Sequence, residues 1–493
     1  SMTLYKIFYC ISSIGKLKQK LYYKTNFTYR RFYLKMINLK YDNILSSRIS
    51  NHGLSQEELN NYTKKFVEIH KTINQKIKDE NLMLGWAKLP YENPEVPKIL
   101  KMVNIVKNKF DTLLVLGIGG SALGNIALQT ALKDKFWNSL SKQQRKGYLK
   151  LYVFDNVDPQ TAKSLLNHLD LKKTLINVIS KAGDTAETLA TFFVFYNELV
   201  KKVGKKNVKK HIIITTGSKT GFLRELVNKG YSQYDFTIPE NVGGRFSVLS
   251  AVGLVSAALT GINIKKLLEG AKIMAERCMV NKEVSPNQMY NNPSFIFALI
   301  NYLLYQKGKK ICVMMPYSDN LYGFADWFRQ LWAESLGKEK DNQGNIVNVG
   351  PTPIKALGVT DQHSQLQLYR EGPNDKIIVF LSVEKFRCEI KIPKFSEEHY
   401  LCGHTLNELF KAEEKATISS LTKAKRPNMS IILPKIDEES IGELIYMLEL
   451  ATAYAGELFT IDAFNQPGVV LGKNYTYALL GRKGYEKYLE EII

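Results

Sequence analysis

The chain has 493 residues, 45% of them hydrophobic and 23% charged, with a formal net charge of +21. That length exceeds one typical domain, and the composition excludes fibrous, low-complexity and disordered classes. Five scattered cysteines without a CxxC pair and seven dispersed histidines without HExxH predict no disulfide framework and no metal, and suit a reducing, cytoplasmic setting.

Charge is unevenly placed. Residues 1–35 hold eight Lys and Arg and no acid, which reads as a basic extension: a transit segment, or upstream sequence before a second start at Met36. Elsewhere the lysines fall in short runs such as Lys205-Lys206, which read as solvated surface. With no nucleic-acid motif beside them, nucleic acid is not an expected partner, whereas a small anionic substrate would be drawn to the positive field. No apolar run reaches the roughly 18 residues of a membrane helix, so no membrane association is expected.

In chain order, Ser55 and Glu58 form a capping box opening an amphipathic helix with Leu59, Tyr62, Phe66, Ile69, Ile73 and Ile77 at spacings of three and four. Residues 36–108 are thus expected to be a helical arm. From residue 109 to 262, an apolar run ending in glycines at 112–120 and strands at 151–156, 174–180, 211–217 and 234–238 alternate with helices, the pattern of a doubly wound parallel sheet. A helical connection over 263–305 leads to a second α/β unit, 306–493, with strands at 309–318, 376–385 and 428–435 and helices near 403–424 and 437–456. The expected fold class is α/β, two doubly wound parallel-sheet domains with a helical N-terminal arm.

Ligands of such sheets bind beyond the carboxyl ends of the strands. Gly117, Gly119 and Gly120 precede Ser121 between a strand and a helix, and Ser180-Lys181-Ala182-Gly183-Asp184-Thr185 repeats that arrangement. Backbone N–H groups at such turns favour an anion. Neither a Rossmann GxGxxG nor a Walker lysine-serine is present, so a nucleotide cofactor is not expected. Asn241 to Ser247, NVGGRFS, sets Arg245 after paired glycines, where it could face a developing oxyanion. Ala325 to Lys338, ADWFRQLWAESLGK, stacks Asp326, Gln330 and Glu334 on one helix face. Two flanking tryptophans suggest a desolvated Glu334 able to carry a proton, and Gly337 a left-handed helix stop. By itself the spacing of Glu334 and Lys338 reads more readily as a surface ion pair.

GIGGS, ISK-x-G, NVGGRFS, ESLGK, DQHSQLQ and FNQPGVVLGK follow one another in the order found in glucose-6-phosphate isomerases. From about Ile37 onward the chain resembles that family, in its shorter bacterial branch. The resemblance implies two sugar-isomerase (SIS-type) domains, no metal or cofactor, and a homodimer acting on glucose 6-phosphate and fructose 6-phosphate. It implies a phosphate cradle of Ser121, Ser180 and Thr185 with the backbone of Gly120, Lys181 and Ala182. It implies Glu334 as the base of a cis-enediol mechanism, with Gln330 and Gln466 lining the pocket and Glu187 in support. Arg245 would steady the enediolate, and His363, donated by the neighbouring subunit, would open the sugar ring with Lys473. Ala182, Asp184, Asn465 and Val470 depart from the usual pattern, and Asp184 would repel phosphate unless it turns away or meets Lys181 or Lys219. A non-catalytic phosphosugar-binding regulator on the same fold would need the loops but not the base or the ring-opening pair.

Overall fold

The computed structural model describes residues 36–395 and 399–493; the basic extension expected over 1–35 lies outside the described residues. Two five-stranded sheets organise the chain. In the first, β2 (Thr112–Leu116), β3 (Lys150–Phe154), β4 (Thr174–Ser180), β5 (Ile212–Thr216) and β6 (Tyr234–Thr237) are all parallel and lie in the order β3-β2-β4-β5-β6. The chain leaves β2 to one side for β3 and returns on the other for β4. The order therefore reverses at the carboxyl ends of β2 and β4, where a doubly wound sheet leaves a crevice.

Alternate residues explain why both faces are covered. Leu113 and Val115 of β2 enter the large core shared with the rest of the chain, while Leu114 and Leu116 enter a second core. That second core lies beneath α4 (Ala186–Val203) and α5 (Phe222–Asn228). Side chains on a strand alternate between faces, so an all-apolar strand needs a helical layer on each side.

The second sheet has the order β1-β12-β11-β7-β10, from β1 (Asn38–Lys40), β7 (Ile311–Pro316), β10 (Thr352–Lys355), β11 (Lys376–Lys385) and β12 (Asn428–Lys435). Four strands are parallel and β1 closes the edge antiparallel to β12. The strands β1 and β10 were not expected. NLK and TPIK are short and partly polar, and their pairing to a neighbour, rather than any apolar run, makes them strands. The stretch expected as one amphipathic helix from Ser55 breaks at Asn61 and Tyr62. The capping box closes only a five-residue helix, Gln56–Asn60, and the longer α1 (Thr63–Lys78) follows.

Between the sheets run α6 (Ala251–Leu259), α7 (Ile264–Arg277), α8 (Pro293–Gln306) and α11 (Glu438–Phe459). In α11 every residue except Glu438, Glu439 and Glu457 is buried, so the helix is covered all round rather than along one stripe. Helix α9 (Tyr322–Leu336) follows β7 and packs on α2 (Leu123–Leu132) of the first sheet, carrying its residues across to the β2–β4 crevice. The hairpin β8 (Lys338–Lys340) and β9 (Ile346–Val349) follows it, and α12 (Val470–Leu479) stands near the C-terminus. Among the described residues no helix is long and apolar enough to cross a membrane.

Candidate active site

Two glycine-rich turns at the sheet's switch point set the geometry. After β2, Gly119 adopts φ +58°, and a Cβ there would lie 3.0 Å from the Gln330 amide nitrogen. A Cβ on Gly120 would lie 2.2 Å from the carbonyl oxygen of Gly244. Only glycine lets the β2 turn and the Asn241–Arg245 turn touch backbone to backbone. After β4, the Ser180 and Thr185 hydroxyls are 2.8 Å apart, and the Gly183 N–H donates to Ser180 Oγ at 3.1 Å. These turns open a cleft of about 490 Å³, lined on its anion side by Gly120, Ser121, Ser180, Lys181, Ala182 and Thr185.

Asp184 does not line it. Its Oδ1 accepts the Phe222 N–H at 3.1 Å, holding the start of α5, so its carboxylate is engaged away from the cradle. Lys181 turns its ammonium onto the Glu240 carbonyl at 2.6 Å, and burial lowers its pKa. Thr188, one turn into α4, also lines the cleft, is 2% exposed, and has an Oγ1 with no partner. Sequence reading passed over it because a threonine inside a helix carries no signal of its own; only its place one turn after the β4 loop could have pointed to it.

The opposite wall is α9. Gln330 Nε2 donates to Glu334 Oε2 at 3.0 Å, so the four-residue spacing does stack these groups over one cleft. Arg245 Nη1 lies 3.6 Å from Glu334 Oε1. The guanidinium is fixed by Nε to Ser335 Oγ at 2.7 Å, Nη1 to Gln466 Oε1 at 3.0 Å, and Nη2 to the carbonyls of Ala463 at 2.7 Å and Asn465 at 3.1 Å. Arg245 is 4% exposed, and burial pulls its pKa down although Glu334 and Asp462 oppose this. A guanidinium stays charged regardless, so the cleft holds a permanent, immobilised cation beside a carboxylate. Gln466 and Lys473 close the cleft from the C-terminal segment, and Met83, Glu240 and Phe464 complete its walls.

Three expectations about α9 change. Trp327 and Trp332 do not ring Glu334; they are 2% and 0% exposed, and Trp332 packs on Phe297 and Phe328 in the core. Gly337 is not left-handed (φ −72°, ψ 102°). Lys338 does not pair with the Glu334 carboxylate: its ammonium takes the main-chain carbonyls of Glu334 and Ser335, both at 2.8 Å. Asp326 stands apart, bonded to Arg329 and Lys355 at 2.7 and 3.3 Å.

Of the twelve side chains and turn residues expected at the site, His363 alone does not line this cleft. It ends a short helical turn, Thr360–His363, after β10 and is exposed to solvent.

A doubly wound sheet with two glycine-rich turns at its switch point, facing a carboxylate and a clamped arginine across one cleft, defines the class: an α/β enzyme fold with its cleft at the carboxyl ends of the strands. A family model for phosphoglucose isomerase matches residues 103–486. The glucose-6-phosphate isomerase of Carboxydothermus hydrogenoformans is 45% identical over 462 residues, 93% of this chain and 97% of that one. A hypothetical protein of Thermus thermophilus superposes with a TM-score of 0.78 at 34% identity, over 90% of this chain and all of that one. The glucose-6-phosphate isomerase of Chlamydia trachomatis shares the fold, with a TM-score of 0.72 at 21% identity, over 88% and 87% of the two chains. The chain belongs to the phosphoglucose isomerase family.

Proposed function

We propose that this chain interconverts glucose 6-phosphate and fructose 6-phosphate, an aldose–ketose isomerisation serving glycolysis and gluconeogenesis. The observation that carries the chemistry is Arg245 Nη1 at 3.6 Å from Glu334 Oε1 in the cleft the anion turns open. An aldose–ketose isomerase must move one proton between C2 and C1 and another between their two oxygens, and must stabilise the negative charge that appears on the enediol oxygen between the two carbon transfers. Glu334 is the proton carrier. Arg245 is the fixed cation for the enediolate; held by four hydrogen bonds, it needs no rearrangement when that charge develops.

The phosphate sits against Ser121, Ser180 and Thr185 and the N–H groups of Gly120, Lys181 and Ala182, anchoring the sugar so that its C1–C2 end reaches Glu334. Gln330 orients the Glu334 carboxylate, and Gln466 joins Arg245 to the sugar's surroundings. Ring opening needs one group to take the anomeric hydroxyl proton and another to protonate the ring oxygen; Lys473 and His363 take those roles. His363 belongs to the cleft of a neighbouring subunit in a homodimer, which its exposure and its place outside its own cleft support. We divide the chain into the helical arm 36–108, sugar-isomerase domains 109–262 and 306–493 and the connection 263–305, and assign it to the cytoplasm.

A coupled assay with fructose 6-phosphate and no added metal tests the reading. Glucose 6-phosphate should accumulate to equilibrium; phosphosugar binding without turnover would sink the enzyme assignment and leave a binding protein.

A further inference from the structure

Helix α9 ends without the left-handed residue that commonly satisfies the last carbonyls of a helix. Lys338 supplies the missing donors. Its ammonium is bonded to the carbonyls of Glu334 and Ser335, both at 2.8 Å, and the residue is only 8% exposed. A buried cation at a helix C-terminus also meets the negative end of the helix dipole. The two residues it holds are the ones that matter to the cleft: Glu334 carries the carboxylate, and Ser335 Oγ accepts the Arg245 Nε–H at 2.7 Å.

We infer that Lys338 is a positioning residue for the isomerisation, tying the Glu334 carboxylate and the Arg245 guanidinium into one rigid unit through the end of α9. This rests on the isomerase reading of the cleft. Lys338 does not itself line the cleft and acts through Glu334 and Ser335. A buried lysine is a costly way to finish a helix on stability grounds alone, since an ammonium loses its hydration there. It makes sense if the charge is used. With Lys338 protonated the end of α9 is held, and Arg245 keeps its place beside Glu334 to receive the enediolate. Losing the Lys338 proton leaves a neutral amine whose hydrogen bonds to the two carbonyls are weaker and which no longer meets the helix dipole with a charge, so the helix end loosens.

The charge is also removable. Burial, followed by the like charge of Arg245, brings the Lys338 pKa down to about 8, against the attraction of Asp462 and Glu334. The cationic form is the working one, so turnover should be full below that pH and fall as pH rises through it.

The test compares wild type, Lys338→Met and Lys338→Arg in steady-state isomerisation from pH 6 to 10, with the melting temperature of each. In Lys338→Met, kcat at pH 7 should fall by about 10²-fold, the scale of misplacing catalytic groups, while KM changes little. Lys338→Arg should recover part of that loss. Its alkaline limb should move up from the wild-type position near pH 8 by at least about one unit, because a guanidinium does not titrate there. A folded Lys338→Met with wild-type kcat, or a Lys338→Arg limb coincident with wild type, overturns the inference. If Lys338→Met does not fold, the Lys338→Arg limb decides. A wild-type chain with no turnover overturns the isomerase reading and this one with it, whereas turnover with indistinguishable variants overturns this one alone.

Discussion

The Arg245 guanidinium and the Glu334 carboxylate approach to 3.6 Å, beyond a close bidentate pair, because the arginine's best-directed N–H groups are spent on Ser335, Gln466, Ala463 and Asn465. The cation is therefore placed beside the carboxylate, on the cleft wall, without forming a tight pair with it. Arg245→Lys keeps the charge but cannot reproduce the fork that reaches four acceptors. On the proposed role, in which the cation meets charge present mainly in the transition state, kcat should drop by roughly 10²-fold with KM little altered. Steady-state kinetics checks this, and a variant whose loss fell on KM alone would make Arg245 a substrate-binding group.

Thr188 yields a different signature. Its hydroxyl is buried and unpartnered, and the residue shares the cleft wall with Ser180 and Thr185; the prediction is that the substrate phosphate supplies the acceptor it lacks. Thr188→Val preserves the shape and deletes the hydroxyl. One hydrogen bond to a charged group is at stake, so KM for fructose 6-phosphate should rise about tenfold or more at nearly constant kcat. Inhibition by inorganic phosphate should weaken in parallel; unchanged phosphate inhibition would place Thr188 outside the cradle.

Much of this cleft is legible in the sequence because its parts are turns. Gly120 precedes Ser121 where only glycine permits the backbone contact, and the two glycine-rich turns end strands whose apolar runs mark them plainly. What was hidden depends on partners distant in the chain. Spacing brings Lys338 near Glu334 but cannot say whether the ammonium takes the carboxylate or the carbonyl; the fold buries it, and the carbonyls win. Asp184 looked hostile to phosphate until Phe222, 38 residues on, engaged it. Trp332 shares a helix with Glu334 yet serves the core, since residues two positions apart do not share a face. β1 becomes a strand only through β12, nearly 400 residues away in the chain, and no local pattern could reveal that.

His363 motivates a complementation experiment. It is exposed and remote from its own cleft, while Glu334 lines that cleft. If each site combines Glu334 of one subunit with His363 of the other, Glu334→Gln and His363→Ala homodimers are each crippled. Mixed dimers contain one site with both groups intact. Unfolding and refolding the two variants together at equal amounts should restore about a quarter of wild-type activity, from statistical pairing across a two-fold interface. Activity no greater than the sum of the separate variants would mean that both groups act within one chain.

Glu443 offers a prediction about stability. It is 2% exposed in α11, and its Oε2 accepts the Ile37 N–H at 3.1 Å. Burial raises its pKa from 4.5 to about 7, against the Ile37 hydrogen bond and the charge of Arg277. The sign follows from proton counting: between those two values the folded chain keeps a proton that the unfolded chain has released, so folding weakens as pH rises through that window. Below it Glu443 is neutral in both states and costs nothing; above it the full penalty, about 3 kcal/mol at most, is present. Glu443→Gln keeps an oxygen for the Ile37 N–H and cannot ionise. Its melting temperature should match wild type near pH 5 and exceed it at pH 8, with the gap opening between pH 5 and 7. Equal differences at both ends would show that Glu443 ionises in the folded chain as freely as in the unfolded one.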